Sequence, residues 1–345
     1  MTEPELQRLL SGLPLPAMLV RRDDRILAAN PSAEALLGEG IVGRHPAMAV
    51  RAPSVLEAIS AVARQGGMQE ARMTLRREGQ EAVFQVTVSE QGDVVLCVFR
   101  DATEEERAGE MRRDFVANVS HELRTPLTAL MGFIETLKHA AKDDPKAREM
   151  FLGIMEAEAG RMNRLVRDLL QLSRVEAEER VRPKEAVELR GLLEGVISSL
   201  RGVAEKTGDR VELTGDPVTV PADHDQLVQV FTNLIENALK YGGAGQVVRV
   251  SLSPEETVRG PAVRVEVADQ GEGIDPVHIP RLTERFYRVD SHRSREMGGT
   301  GLGLAISHEL VALMGGEMAV ESEPGQGLTF SFFLPAEPVR GRAAA

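Results

Sequence analysis

The chain has 345 residues, 42% hydrophobic, 27% charged, 3% aromatic and without Trp. This composition excludes a disordered or fibrous protein, and at about 150 residues per domain it predicts two or three cores. Against 53 Asp and Glu the 41 Lys and Arg leave a net charge of −12, which excludes a global electrostatic footprint for nucleic acid or anionic membrane. The one cysteine, Cys97, cannot form an internal disulfide, no run approaches the ~18 to 20 apolar residues of a membrane span, and MTEPELQRLL is no export signal. The plain expectation is a cytoplasmic protein in a reducing compartment, with no membrane span and no direct nucleic-acid partner.

Residues 13–100 mix short apolar runs with turn signals: PAMLV, RRDDR, ILAAN, a helical PSAEALLG, and FQVTVSEQGDVVLCVF, a predicted hairpin turning at Gly92-Asp93. Residues 1–100 therefore read as a small α+β domain. Residues 101–113, DATEEERAGEMRR, are charged and rich in helix formers, predicting a solvated connecting helix. From 114 to 180 two helical segments flank KDDPK. The second places Phe151, Met155, Met162, Leu165, Leu169 and Leu172 at alternating steps of four and three, broken only by Glu158. The first carries the stripe Val116, Val119, Leu123, Leu127, Leu130, Ile134, Leu137. A hairpin with that much apolar surface predicts pairing with a second copy into a four-helix bundle, hence a homodimer.

From 181 to 338 strands and helices alternate. VELRGLLEGVISSLRGVAEK, DQLVQVFTNLIENALKYG and GLAISHELVALMG read as helices, and RVELTG, VTVPAD, VVRVSLS, AVRVEVAD, MAVESE and LTFSFFLP as strands. This is an α/β sandwich with glycine-rich loops, followed by a disordered tail at 339–345. The fold class is thus multi-domain α+β.

His121 lies in FVANVSHELRTPLTAL. At ~100° per residue it stands about 200° from both Val119 and Leu123, so its imidazole turns to solvent. Glu122 can orient the ring or accept its proton, Thr125 lies one turn on, and Pro126 removes a helix hydrogen bond and permits a bend. A lone exposed His is usually only solvated; the neighbours reverse that here. The run Ser120-His121-Glu122-Leu123-Arg124-Thr125-Pro126-Leu127 resembles the H box of bacterial sensor histidine kinases.

The resemblance extends from Asp114 to Pro335. Asn233-Leu234-Ile235-Glu236-Asn237-Ala238-Leu239-Lys240-Tyr241 resembles the N box, Val267 to Ile274 the G1 box, Glu284 to Asp290 the F box and Gly298 to Leu304 the G2 box. It implies an ATP-binding domain of the Bergerat (GHKL) type. Asn233 and Asn237, four apart on one helical face, would meet Mg²⁺ and the phosphates, with Asn237 as the metal ligand. Lys240 and Tyr241 continue that turn. Asp269 would accept the adenine amino hydrogen, with Gly271, Gly273 and Ile274 leaving room for the base. Gly299, Thr300, Gly301, Leu302 and Gly303 would offer backbone N–H groups to phosphate at a helix start. No Rossmann or P-loop fingerprint fits.

The resemblance also implies a mechanism. His121 attacks the γ-phosphorus, Lys240, Arg288 and the other lid arginines Arg281, Arg285, Arg293 and Arg295 balance charge, and a hinge at 178–184 lets the ATP domain swing. The partner implied is a response-regulator receiver domain, whose aspartate takes the phosphoryl group and toward which Thr125 would position water for dephosphorylation. The N-terminal domain resembles a PAS module through Asn30 to Gly38 and the exit Asp101-Ala102-Thr103, without a readable ligand. FVANVSHELRTPLTAL and ERFYRVD are most similar to phosphate-regulon sensor kinases of the PhoR type, implying phosphate-starvation signalling, although that type usually carries membrane helices before its PAS domain. Two alternatives remain: a nucleotide-binding scaffold without productive autophosphorylation, and a gyrase- or chaperone-type ATPase, against which Asn233 rather than Glu stands.

Overall fold

The computed structural model describes residues 3–77, 79–139, 142–177, 185–257, 260–289 and 299–336. The predicted hinge at 178–184, the lid residues Arg293 and Arg295, and the tail at 339–345 lie outside the described residues. The chain forms two compact units, residues 1–117 and 118–345.

In the first unit five strands, β1 (Ala17–Arg21), β2 (Ile26–Ala29), β3 (Met68–Arg77), β4 (Gln80–Gln91) and β5 (Val94–Asp101), form a sheet of order β2-β1-β5-β4-β3. The β4–β5 hairpin closes with Gln91 opposite Val94, and Gly92 takes the positive φ (68°) that such a tight turn requires. Alternation in β5 turns Val95, Cys97 and Phe99 inward. They share a core with Val55, Ala58, Ile59 and Val62 of α4 (Pro53–Gln65), whose three-and-four spacing makes one helical face. The helix α1 (Glu3–Ser11) joins a smaller cluster of Leu10, Ala17, Leu19 and Ala28. Asn30 caps α2 (Pro31–Leu37): its Oδ1 accepts from the amides of Ala33 (2.9 Å) and Ala17 (3.0 Å). His45 caps the short α3 (Pro46–Ala49), its Nδ1 accepting from Ala47 N.

The connecting helix expected at 101–113 leads straight into the first hairpin helix: α5 runs unbroken from Thr103 to Lys138. Asp101 Oδ1 accepts from Thr103 N (2.9 Å) at its start, and three glutamates in the first turn complement the helix dipole. Helical residues continue through the buried Pro126, which can offer no N–H to the Glu122 carbonyl. After the turn, Asp144 Oδ1 accepts from Lys146 N (3.0 Å) and Ala147 N (3.1 Å), opening α6 (Pro145–Ala177). Phe133 of α5 meets Phe151 of α6 with ring centroids 5.4 Å apart. Of the predicted α6 seam Leu165 and Leu172 are buried, joined by Val175.

The rest of the second unit is a five-stranded sheet of order β11-β12-β10-β9-β7, made of β7 (Arg210–Thr214), β9 (Val247–Thr257), β10 (Gly260–Ala268), β11 (Glu317–Ser322) and β12 (Leu328–Pro335). All neighbours are antiparallel except β7 and β9. The helices α7 (Leu189–Thr207), α8 (His224–Tyr241) and α9 (Gly303–Leu313) bring buried apolar faces to the core, and α8 contributes Leu227, Val230, Phe231, Leu234, Ile235, Ala238 and Leu239. Phe231 meets Phe332 of β12 at 5.4 Å; each such fully buried side chain contributes about 2 kcal/mol. The sequence predicted helix from Val187, but Ala186–Glu188 form β6, paired with β8 (Thr219–Pro221). Glu188 is the helix cap, its carboxylate accepting from Arg190 N (2.7 Å) and Gly191 N (2.8 Å), so α7 starts at Leu189, two residues after the predicted start.

Candidate functional site

The last two turns of α8 carry Asn233, Asn237, Lys240 and Tyr241, and two loops close against them. At the end of β10, Asp269 Oδ1 accepts from Gly271 N (2.9 Å) and Leu328 N (3.1 Å), and Oδ2 takes part in neither bond. Burial pushes the Asp269 carboxyl up, and these two amide bonds offset part of the rise. Gly271 crosses the Tyr241 carbonyl so closely that a Cβ there would lie 2.8 Å from it. Gly273 has φ 65° and would bring a Cβ to 2.1 Å from the Glu323 carbonyl, so only glycine fits. Ser322 ties the loop down, accepting from Ile274 N (2.9 Å) and donating to the Gly327 carbonyl (2.8 Å).

The second loop runs Gly299 to Gly303 into α9. Gly301 (φ 73°) lies against Phe286, whose amide donates to the Gly301 carbonyl (2.8 Å) and whose own φ is 64°. A left-handed phenylalanine stores strain that this pairing holds in place. Leu302 is fully buried and its amide donates to Thr300 Oγ1 (3.3 Å). Gly303 allows contact with Asn233, whose Oδ1 would lie 2.3 Å from a Cβ. Asn233 Nδ2 donates to Ser307 Oγ (2.8 Å), which ties α8 to α9, while Asn237 stands one turn on, partly exposed. Lys240 pairs with Glu236 at 2.9 Å.

The described part of the lid is ordered by its own contacts. His278 Nδ1 lies 2.6 Å from Tyr287 Oη, and the Arg281 guanidinium stacks 4.1 Å over the Tyr287 ring while pairing with Glu284. Arg288 was expected to face the nucleotide; its Nη2 donates to the Gly299 carbonyl and lies 3.8 Å from Glu122.

On α5 His121 is exposed, as its position opposite the apolar stripe predicts. It borders an open depression of about 440 Å³ lined by His121, Arg124, Thr125, Thr128 and Ala129. Thr125 Oγ1 donates to the His121 carbonyl (3.2 Å). The expectation that Glu122 serves the His121 ring meets a different arrangement: its carboxylate pairs with Arg161 of α6 at 2.8 Å, and Arg161 also reaches Glu158 at 3.4 Å.

Sequence reasoning missed Arg161, Asp168, Ser307, Ser322 and Gly327. Thr300 Oγ1 donates to Asp168 Oδ2 at 2.7 Å, which ties the second glycine loop to α6, and Gln171 Nε2 donates to Gln229 Oε1 beside it. The signal for α6 was present: Glu158, Arg161, Leu165, Asp168, Leu172 and Val175 repeat at three and four, so polar residues occupy a covered face.

Residues 111–178 match the family model of the His Kinase A (phospho-acceptor) domain, and residues 222–338 that of the histidine kinase-, DNA gyrase B- and HSP90-like ATPase. The sensor protein kinase WalK of Staphylococcus haemolyticus (strain JCSC1435) is 38% identical over 258 residues, 74% of this chain and 42% of the relative. The sensor histidine kinase WalK of Bacillus subtilis (strain 168) is 38% identical over 255 residues, 73% and 41% respectively. The chain thus spans about two fifths of the length of these relatives. The crystal structure of histidine kinase ThkA in complex with the response regulator protein TrrA shares the fold, with a TM-score of 0.53 at 22% identity over 96% of this chain and 98% of that one. Residues 111–178 are therefore similar to phospho-acceptor domains of the histidine-kinase type, and residues 222–338 to the ATPase domain shared by histidine kinases, DNA gyrase B and HSP90.

Proposed function

We propose that the chain is a sensor histidine kinase of a two-component system, which uses Mg-ATP to phosphorylate His121 and passes the phosphoryl group to an aspartate of a response-regulator receiver domain. The observation that carries this reading is the exposed His121 in an acceptor hairpin that shares one compact unit with an ATPase fold. A ring nitrogen of His121 forms the new bond to the γ-phosphorus as the bond to the β–γ bridging oxygen breaks and ADP leaves. Glu122 takes the ring proton once its carboxylate is released from Arg161, 2.8 Å away, and from Arg288, 3.8 Å away. Asp269 holds the adenine, and the loop Gly299 to Gly303 holds the phosphates.

The residues fit a magnesium ion that arrives with the nucleotide. Asn237 offers a hard amide oxygen at the partly exposed end of α8, and among the described residues no group of three or more His, Cys, Asp or Glu forms a protein-only cage. When bound there, Mg²⁺ supplies neutralising charge for the phosphates.

The remaining assignments belong to the same reading. They are a PAS-like sensor at 1–100, a helical linker at 101–113, a dimerising acceptor hairpin at 114–180, an ATP-binding domain at 181–338, a homodimer, and phosphatase action aided by Thr125. The receiver-domain partner has the ThkA–TrrA complex behind it as an analogy of fold. Phosphate-starvation input has only the wording of two boxes behind it, and the relatives at 38% identity favour regulation of the WalK type instead. The described helices include none long and apolar enough to cross a membrane.

Incubation with ATP carrying a radiolabelled γ-phosphate tests the proposal. Acid-labile, alkali-stable label on the wild type that vanishes in His121→Gln is the expected result. Nucleotide binding without such label would favour the regulatory scaffold.

A further inference from the structure

Asp168 lies on the covered face of α6, where its Oδ2 accepts from Thr300 Oγ1 at 2.7 Å. Thr300 belongs to the glycine loop that opens α9, where backbone N–H groups and the helix dipole favour an anion. Lys240, the cation of the neighbouring α8 turn, is close enough to act on the same carboxylate, as are Arg164 and Arg167. The Asp168 carboxyl is pushed up by burial against the pull of Thr300 and these three cations, so it is largely withdrawn from water. The carboxylate takes a hydrogen bond from a side-chain hydroxyl of the glycine loop, beside a lysine, where an anionic phosphate oxygen would compete for the same donor and charge. The Gln171–Gln229 bond, one turn further along α6, makes a second tie to α8, so the carboxylate does not depend on one side chain for its position.

We propose that Asp168 is a tethered competitor for the nucleotide phosphates: with α6 docked on the second glycine loop its carboxylate occupies Thr300, and ATP loads only after α6 leaves. A triphosphate brought to this loop would meet a fixed like charge on the hydroxyl it needs, so docking and nucleotide binding exclude one another. Because α6 is half of the hairpin that carries His121, a signal that shifts the hairpin would set ATP affinity through this contact. The inference rests on the kinase reading only in taking ATP as the ligand.

The full chain is titrated with a fluorescent trinitrophenyl ATP in the presence of Mg²⁺. Asp168→Asn keeps the shape and removes the charge, and it is expected to tighten binding roughly tenfold, the factor for a docked form holding about nine tenths of the molecules. Gln171→Cys with Gln229→Cys, bridged by a short bismaleimide, fixes the docked form; it is expected to bind at least roughly tenfold more weakly than the unbridged pair. Unchanged or weaker affinity in Asp168→Asn, or a bridge without effect, overturns the competitor while leaving the kinase intact. Absence of binding in every variant sinks both readings, and the expected affinities without label on His121 would sink the kinase alone.

Discussion

Asp269 is the carboxyl that the proposed function assigns to the adenine base. Two amides fix Oδ1, and burial raises the group's proton affinity. The acceptor role proposed for it needs the ionised form, so nucleotide affinity is expected to fall as pH drops through the raised range, starting at a higher pH than an ordinary aspartate would give. The stability sign is opposite: the folded chain binds this proton more tightly than the unfolded one, so the Asp269 contribution to stability improves as pH falls through the same window. Titrating nucleotide binding from neutral into acid solution checks this, with Asp269→Asn losing affinity and the pH dependence together. Gly273→Ala meets both a left-handed φ and a carbonyl 2.1 Å from the new Cβ; it should cost about 2 kcal/mol or more in thermal unfolding and abolish nucleotide binding. Cys97 is fully buried and its thiol is pushed up to about 12 by that burial, so it should stay unreactive to thiol reagents in the native chain and react at once in denaturant. Asp269 and Gly273 were legible as an Asp and glycines after a strand. Ser322 and Gly327 were not, because they reach the loop only across the β11–β12 turn.

Elements were legible wherever periodicity spoke for them. The three-and-four spacing in α8 and the alternation in β5 each mark a buried face that the folded chain confirms. Their ends were less legible, because caps are side-chain choices: Glu188 starts α7, and no strong breaker divides 101–113 from the helix that follows. Asn30 shows what one cap can organise. Besides its two accepted amides, its Nδ2 donates to the carbonyls of Leu10, Leu13 and Leu15, tying the end of α1 and the next loop to α2. Asn30→Ala leaves these buried groups without a partner and should destabilise the first unit by about 3 kcal/mol, read from a thermal or denaturant melt. On α6 the ion pair of Arg161 with Glu122 is only partly exposed, 14% and 20% at the side chains. Arg161→Ala should therefore cost the second unit about 1 to 2 kcal/mol, between the values for surface and buried pairs.

For the whole molecule the hairpin leaves more apolar surface than one chain covers. Leu127, Met131 and Ile134 of α5 are 51%, 65% and 44% exposed, and Leu152, Val166 and Leu170 of α6 are exposed as well. The proposed homodimer would bury them, so Met131→Glu should halve the mass measured by light scattering while scarcely moving the melt of the single chain. The sequence by itself determined the division into an α+β domain, a helical hairpin and an α/β sandwich, the exposure of His121, and the glycines that admit close backbone approach. All of these follow from local period, turn chemistry or the absence of a side chain. Only the tertiary structure decided that Asn233 would bond Ser307, that Glu122 would be shared by Arg161 and Arg288, and that Thr300 would donate to Asp168, 132 positions away in the chain. Periodicity records which face of an element is covered, whereas the choice of polar partner on that face depends on which elements the packing of the cores brings against it.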